Sequence, residues 1–127
     1  KGTVGKIGKV TVEMMREQYG SEPKDILAAI GPSICQSCYE VSEDVIVQFR
    51  EAFDSPLWKE LFYAKENGKY QLNLWRANEL IFEEAGILRE HYSTTNICTC
   101  CNPGYLFSHR ASHGKRGNLG AFLQIKE

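Results

Sequence analysis

The chain has 127 residues, of which 43% are hydrophobic, which is enough for the core of one globular domain. Its 15 basic and 16 acidic residues give a formal net charge of -1, so it has no basic excess to neutralise a nucleic-acid backbone, and nucleic-acid binding is not expected. The apolar runs are far shorter than a membrane span, so no membrane interaction is expected either.

The N-terminal segment predicts a helix over residues 3–19. Gly20 follows it as the residue that ends the helix in a left-handed conformation. Gly5 and Gly8 reduce the helix propensity, which indicates that another element packs closely there. The residues near helical spacing on the predicted face are Val4, Ile7, Thr11, Met14, Met15 and Gln18.

The next segment predicts a strand followed by a helix. The apolar run 26–30 ends at Gly31-Pro32, which is typical of a buried strand that leads into a loop. Ser42 is predicted to cap the following helix. That helix carries Val45, Ile46, Phe49 and Phe53 on one face.

The remaining chain predicts a hairpin, a helix and a β-rich tail. Asn67-Gly68 separates two apolar segments, 61–63 and 70–72, and is a strong hairpin signal. An amphipathic helix follows from Leu74 to Ala85 and is closed by Gly86. Strands are expected over 92–98, 105–109 and 119–125, the last of them paired with strands outside this chain. Helices interleaved with strands and a hairpin indicate a layered α/β or α+β domain.

Five cysteines are an odd number for a disulfide scaffold, and we interpret them first as reduced thiols of a cytoplasmic protein. An alternative is one structural zinc ion bound by two CxxC units, although the long gap between the units is unlike a compact zinc ribbon. Four thiolates would leave that ion no open position for water. Disulfide pairing is a third, less favoured interpretation. The two units are Cys35-x-x-Cys38 and Cys98-x-x-Cys101, with Cys100 between the latter pair.

Two loops are candidate binding sites. Segment 108–115 carries Arg110 and Lys115 with hydroxyls at Ser108 and Ser112, and Arg116 follows it. Gly114 and Gly117 can turn backbone amides outward, and the combination suits phosphate or carboxylate. A solvated basic turn is the competing interpretation. Ser33 lies in the loop after the first predicted strand, where layered α/β folds often bind ligands.

Four blocks in order resemble the YfiH-like family, also called laccase-domain or polyphenol oxidase proteins and purine nucleoside phosphorylases. The first, at residues 1–4, resembles the end of the family's His-Ala-Gly-Trp-Arg-Gly-Thr motif, with Lys1 in place of arginine. The second comprises 30–34 and 38–41, the third 74–78 and 85–87, and the fourth 98–99 and 107–110. The resemblance runs through nearly all of the chain.

The resemblance implies that residues 1–127 are the C-terminal part of a single YfiH-like domain, about half of it. The implied fold is α+β, layered α/β/β/α with mixed sheets. The implied activity is cleavage of purine nucleosides by phosphate, with adenosine deamination as a companion, and this chain alone is expected to be inactive. Alternatives are peptidoglycan-precursor editing, as in some bacterial members, or a non-catalytic zinc-binding module built on the two CxxC units.

The resemblance also implies a catalytic zinc held by two histidines and one cysteine, all upstream of Lys1, so it assigns no catalytic residue and no metal ligand to this chain. Copper is not expected. The candidate substrate-binding residues are Arg110, Ser33, Lys1 and Gly2. The chain departs from the family after Arg110, where Ala111-Ser112 replaces the usual Arg-Asp. The oligomeric state is left open.

Overall fold

A computed structural model describes residues 1–126, which form four helices and five short strands. In chain order these are α1 (Ile7–Tyr19), β1 (Ala28–Ile30), β2 (Glu40–Val41), α2 (Glu43–Ala52), α3 (Trp58–Leu61), β3 (Phe62–Ala64), β4 (Tyr70–Leu72), α4 (Leu74–Ala85) and β5 (Tyr92–Thr94). Single 3₁₀ turns lie at Pro23–Asp25, Gln36–Cys38, Ser55–Leu57 and Arg89–His91. None of the helices in this described part combines the length and apolar character needed to cross a bilayer.

The strands form one parallel and one antiparallel sheet. β1 pairs in parallel with β5, with Ala28 opposite Tyr92. β4 lies between β2 and β3 and pairs with both in antiparallel orientation. The hairpin predicted at Asn67-Gly68 is therefore confirmed, and Gly68 has the positive φ of 76° that such a turn requires. Helices combined with mixed sheets confirm the predicted α+β class.

The main core lies between α2, α4 and the antiparallel sheet. Its largest fully buried side chains are Ile46, Leu61, Leu72 and Ile81. The predicted face of α2 is confirmed, since Ile46 and Phe49 point into this core. The predicted cap is wrong: Ser42 occupies the N-cap position, but its hydroxyl bonds the Asp44 side chain instead of a backbone amide.

Helix α4 matches its predicted bounds because both ends carry suitable caps. The Asn73 side chain accepts a hydrogen bond from the Arg76 backbone N–H over 3.0 Å. Gly86 ends the helix with a φ of 96°, in the left-handed region that glycine adopts most easily. Trp75, on the first turn of α4, therefore has a fixed position from which to reach the loop after β1.

Helix α1 packs on α4, but it begins later and buries a different face from the one predicted. Val12 is its buried residue, whereas Ile7 and Met14 are more than half exposed. The close approach predicted at the glycines is confirmed at Gly8, where a Cβ would lie 3.0 Å from the Phe82 ring. The contact with α4 thus includes Gly8, and Val12 is buried one turn further along the helix.

Four predicted strands differ from the structure. The strand expected over 92–98 covers only 92–94. β1 covers only 28–30 and is half-exposed, because it pairs along one edge with β5 alone. Residues 105–109 combine turns with irregular backbone, and 119–125 have no regular structure. Phe122 and Ile125 remain exposed, and no neighbouring strand within the described residues supplies the backbone partners that a strand needs.

Candidate substrate cleft and cysteine cluster

A cleft of about 590 Å³ opens between the loop after β1 and the C-terminal loops. Its walls include Ser33, Tyr39, Thr99, Phe107, Arg110 and Arg116. Two aromatic rings and two guanidinium groups therefore face one space of the size that small-molecule sites have. We refer to this space as the cleft.

The cleft lies where two neighbouring parallel strands end. Beyond β1 and β5 the two segments continue side by side, because the Ser33 amide donates to the Ile97 carbonyl over 3.1 Å and the Thr99 amide donates to the Ser33 carbonyl over 3.2 Å. The carboxyl ends of parallel strands are the usual ligand-binding edge of α/β sheets. The structure thus places the predicted loop in the cleft wall, and its role in ligand binding stays a prediction.

Ser33 is held in the cleft wall by a tryptophan. The indole Nε1–H of Trp75 donates to Ser33 Oγ over 2.6 Å, and the hydroxyl in turn donates to the Gly31 carbonyl over 3.4 Å. The hydroxyl oxygen has a second lone pair, which is available to a ligand donor. Trp75 was not among the sequence-based candidates; its signal was its position in the Leu74-Trp75-Arg76 block.

Arg110 also lines the cleft, and it bonds the backbone on the opposite wall. Its Nη1 and Nη2 donate to the carbonyls of Cys38 and Glu40 over 3.4 and 3.1 Å, and the guanidinium carbon lies 5.5 Å from the centre of the Tyr39 ring. No acidic side chain in the described residues pairs with it. Two carbonyls use two of its five N–H donors, so three remain for a ligand.

Several polar groups of the loop that carries Arg110 form hydrogen bonds within the loop itself. The Ser108 hydroxyl accepts from the Ala111 amide, and the Ser112 hydroxyl donates to the Ser108 carbonyl. The Gly114 amide donates to the His109 carbonyl over 2.9 Å, so the expectation that this glycine turns a free amide outward is wrong. Binding capacity in this loop therefore rests on its guanidinium groups.

Lys1 and Gly2 are not among the residues that line the cleft. Their carbonyls accept hydrogen bonds from the amides of Gly5 and Ile7, so they form the turns that lead into α1. Of the four candidate substrate-binding residues, the structure brings Ser33 and Arg110 to one space and leaves these two elsewhere.

The histidines do not form a group of metal ligands. His109 lies in the cleft wall and His113 is exposed. The 3₁₀ turn at Arg89–His91 buries the Nδ1 of His91, which has no hydrogen-bond partner among the described residues.

Four cysteines from distant parts of the chain lie together beside the cleft. The Sγ atoms of Cys35, Cys38, Cys98 and Cys101 are all within 4.8 Å of one another, and this cysteine cluster can hold a metal ion. Cys35 and Cys38 belong to the loop after β1, and Cys98 and Cys101 to the segment after β5. All are free thiols. This geometry agrees with the alternative interpretation, in which the two CxxC units come together at one site, and not with separate thiols.

The surroundings of the cluster shift the pKa values of its thiols in opposite directions. Burial opposes ionisation of Cys98, but the amides of Cys35 and Cys101 donate to its sulfur, and the pKa of this thiol falls to about 6. Hydrogen bonding to Cys101, together with burial, raises the pKa of the Cys38 thiol. Cys98 is thus the thiol whose anion the backbone stabilises best.

Comparison with known proteins gives one consistent result. The family model described as "Multi-copper polyphenol oxidoreductase laccase" matches residues 1–126. A relative from Bacillus subtilis named "Purine nucleoside phosphorylase YlmD" is 39% identical over 129 residues, covering 100% of this chain and 45% of the relative. A relative named "Adenosine deaminase RL5", from an unknown prokaryotic organism, is 36% identical over 110 residues, covering 87% of this chain and 41% of the relative.

A solved structure agrees with the sequence matches. The crystal structure of a Bacillus licheniformis hypothetical protein YfiH superposes with a TM-score of 0.84 at 33% identity, covering 91% of this chain and 43% of that one. The chain spans about half the length of the curated relatives it matches.

Proposed function

Because this chain belongs to the YfiH-like, laccase-domain family, we propose that the complete natural protein containing it is a purine nucleoside phosphorylase and that its residues form the C-terminal part of one such domain. The observation that carries the proposal is the cleft, where aromatic rings and guanidinium groups face the same space. The name of the Bacillus subtilis relative supports the same activity.

The reaction needs two binding chemistries at one place. A phosphate oxygen attacks C1′ of the ribose while the C1′–N9 bond breaks, which gives ribose 1-phosphate and the free purine, and the leaving base takes up a proton. In this proposal Arg110 and Arg116 hold the phosphate, because guanidinium groups bind phosphate oxygens in pairs. Phe107 and Tyr39 contact the flat base, and the Ser33 hydroxyl hydrogen-bonds the nucleoside.

The zinc that the family resemblance implies takes two histidines and one cysteine, and residues 1–126 bring no such set together. The part of the chemistry that these residues can carry is therefore binding and orientation. Holding phosphate and ribose in line within one cleft lowers the barrier by converting a bimolecular step into one between bound partners.

Adenosine deamination is a second proposed activity, in which water replaces the amino group at C6 and ammonia leaves. Its support is the relative named as an adenosine deaminase. The same cleft would hold the base in both reactions. We propose the cytoplasm as the location, since none of the five cysteines forms a disulfide in the described residues, which suits a reducing compartment.

The test of the proposed function is phosphate dependence. The purified complete protein is incubated with inosine, guanosine or adenosine, with and without phosphate, and free base and ribose 1-phosphate are measured. We expect both products in equal amounts and only with phosphate. A Phe107→Ala variant, purified identically, should show a raised KM for the nucleoside, which excludes a contaminating enzyme. Base release that ignores phosphate, or none from folded protein, would contradict the proposal.

A further inference from the structure

We propose that Cys35, Cys38, Cys98 and Cys101 bind one structural zinc ion that is separate from the metal of the proposed reaction. The proposal concerns this chain's own residues and does not depend on the phosphorylase activity. It rests on the distances between the sulfurs, on the backbone donors around them, and on where the cluster lies in the fold.

The sulfur positions match a tetrahedral thiolate site. Zinc binds thiolate sulfur at about 2.3 Å, so the sulfurs of a tetrahedral site are about 3.8 Å apart. Cys38 Sγ and Cys35 Sγ lie 3.4 and 4.0 Å from Cys101 Sγ, which brackets that value. Both separations are far longer than a disulfide bond of about 2.05 Å. All four sulfurs lie within 4.8 Å of one another, and none of them is in a disulfide.

Backbone amides already support one of the sulfurs. The amides of Cys35 and Cys101 donate to Cys98 Sγ over 3.2 and 3.4 Å. Such second-layer donors orient a metal-bound thiolate and offset its negative charge. One of these amides comes from each CxxC unit, so both units contact the same sulfur.

The chemistry of the donor set selects the metal. Four thiolates in tetrahedral arrangement favour zinc or iron. Of the two, zinc has no redox chemistry and is the usual metal of structural sites with four cysteines. With all four positions taken by sulfur, no position is left for water or substrate, so the ion is structural. The fifth thiol, Cys100, adjoins the cluster but is not part of this set.

The place of the cluster suggests what the ion does. Ile34, Tyr39 and Thr99 line the cleft, and each is next in sequence to a cysteine of the cluster. One ion would therefore cross-link the two loops that form this wall, although they are 63 residues apart in the chain. This link would add to the backbone hydrogen bonds that Ser33 makes with Ile97 and Thr99. It would hold the Tyr39 ring and the Cys38 carbonyl in place for Arg110.

The test is the metal content of the complete protein by mass spectrometry. Cys38→Ser and Cys101→Ser should each lose one zinc ion per chain relative to wild type, whereas the matched control Cys100→Ser should lose none. Because the comparison is a difference, zinc bound elsewhere in the protein does not affect it. Equal zinc content in wild type and in both cluster variants, or iron in place of zinc, would overturn the proposal.

A second measurement needs no variant and so avoids a failure to fold. Native wild-type protein is treated with an alkylating reagent before and after a zinc chelator, and each cysteine is identified by peptide mapping. Cys101 is exposed, so a free thiol there would react at once. We expect it to be protected until the chelator is added. Alkylation of Cys101 before chelation, or recovery of the cysteines as disulfides, would also overturn the proposal.

Discussion

The indole of Trp75 donates a hydrogen bond of 2.6 Å to the hydroxyl of Ser33. It connects the first turn of α4 with the loop after β1, across 42 residues of sequence. Helix α4 is fixed by the main core and by caps at both ends. The bond therefore holds the Ser33 hydroxyl, which lies in the cleft wall, in a fixed position relative to the core.

Removing this bond should damage binding as well as stability. Trp75→Phe keeps an aromatic ring and loses the donor, so the free energy of unfolding should fall by about 0.5–1.5 kcal/mol. Because Ser33 is then free to turn, the nucleoside KM of the complete protein should rise by up to about tenfold. Trp58→Phe is the control, since Trp58 donates to the Phe53 carbonyl away from the cleft. A similar loss of stability in both variants with unchanged KM in both would show that Ser33 does not bind the nucleoside.

Phosphate binding should require the planar geometry of the Arg110 guanidinium as well as its charge. Lysine cannot bond two carbonyls and a phosphate at once, so Arg110→Lys should raise the phosphate KM by a factor equivalent to about 1.5–3 kcal/mol. The same change in Arg16 is the control, because Arg16 lies in the last turn of α1 and does not line the cleft. A lowered Tm with intact kinetics for Arg110→Lys would mean that this residue only holds the loop.

A single methyl group at Gly117 should disturb the aromatic wall of the cleft. A Cβ there would lie 2.8 Å from the Phe107 ring, so Gly117→Ala must displace the ring. We expect a higher nucleoside KM, an unchanged phosphate KM and a nearly unchanged Tm, since Phe107 is largely exposed. Gly104→Ala is the control, because no atom lies within 4 Å of its Cβ position. If Gly117→Ala and Gly104→Ala have the same kinetics, Phe107 does not contact the base.

The ion pairs between α1 and α4 should make stability depend on pH. Glu84 bonds Lys6 and Lys9 over 2.8 and 2.9 Å, and these two hydrogen bonds lower the pKa of its carboxyl group. A carboxylate with a lowered pKa in the folded state stabilises the protein above its unfolded pKa, and this contribution is lost as the pH falls through the folded value. Glu84→Gln should therefore lower the free energy of unfolding at pH 7, by about 0.2–1 kcal/mol for each exposed pair.

The difference between wild type and Glu84→Gln should shrink as the pH drops below about 4.3, the usual pKa of a free glutamate. Urea unfolding at pH 7 and at pH 3 measures it. Glu17→Gln serves as the control because Glu17 takes part in none of the ion pairs of the described residues. A difference for Glu84→Gln that is as large at pH 3 as at pH 7 would rule out this electrostatic origin.

Local signals in the sequence predicted the central part of the fold well. The Asn67-Gly68 turn and the helix closed by Gly86 were predicted correctly, since each depends on residues that are neighbours in the chain. The prediction of which face of α1 is buried was wrong. That face is set by the position of Phe82, which the periodicity of α1 does not encode. The C-terminal strands were wrong because a strand needs a partner, and strand propensity alone supplies none.

The candidate site could be predicted in part. Ser33 and Arg110 were identified from loop position and family resemblance, and both reach the cleft. The cysteine cluster was only an alternative because sequence distance argued against it, whereas the parallel pairing of β1 and β5 brings Cys35 and Cys98 together. Parallel strands join segments that are far apart in the chain, so spacing is a poor guide to which cysteines meet.

The most direct test of the account is the place where the nucleoside binds. A crystal structure of the complete protein with phosphate and an uncleavable purine nucleoside analogue would answer it. We predict the purine ring against Phe107 and Tyr39, with phosphate at the guanidinium of Arg110. An analogue bound at full occupancy elsewhere, with this cleft filled only by water, would contradict the central claim that this part of the chain forms the substrate site.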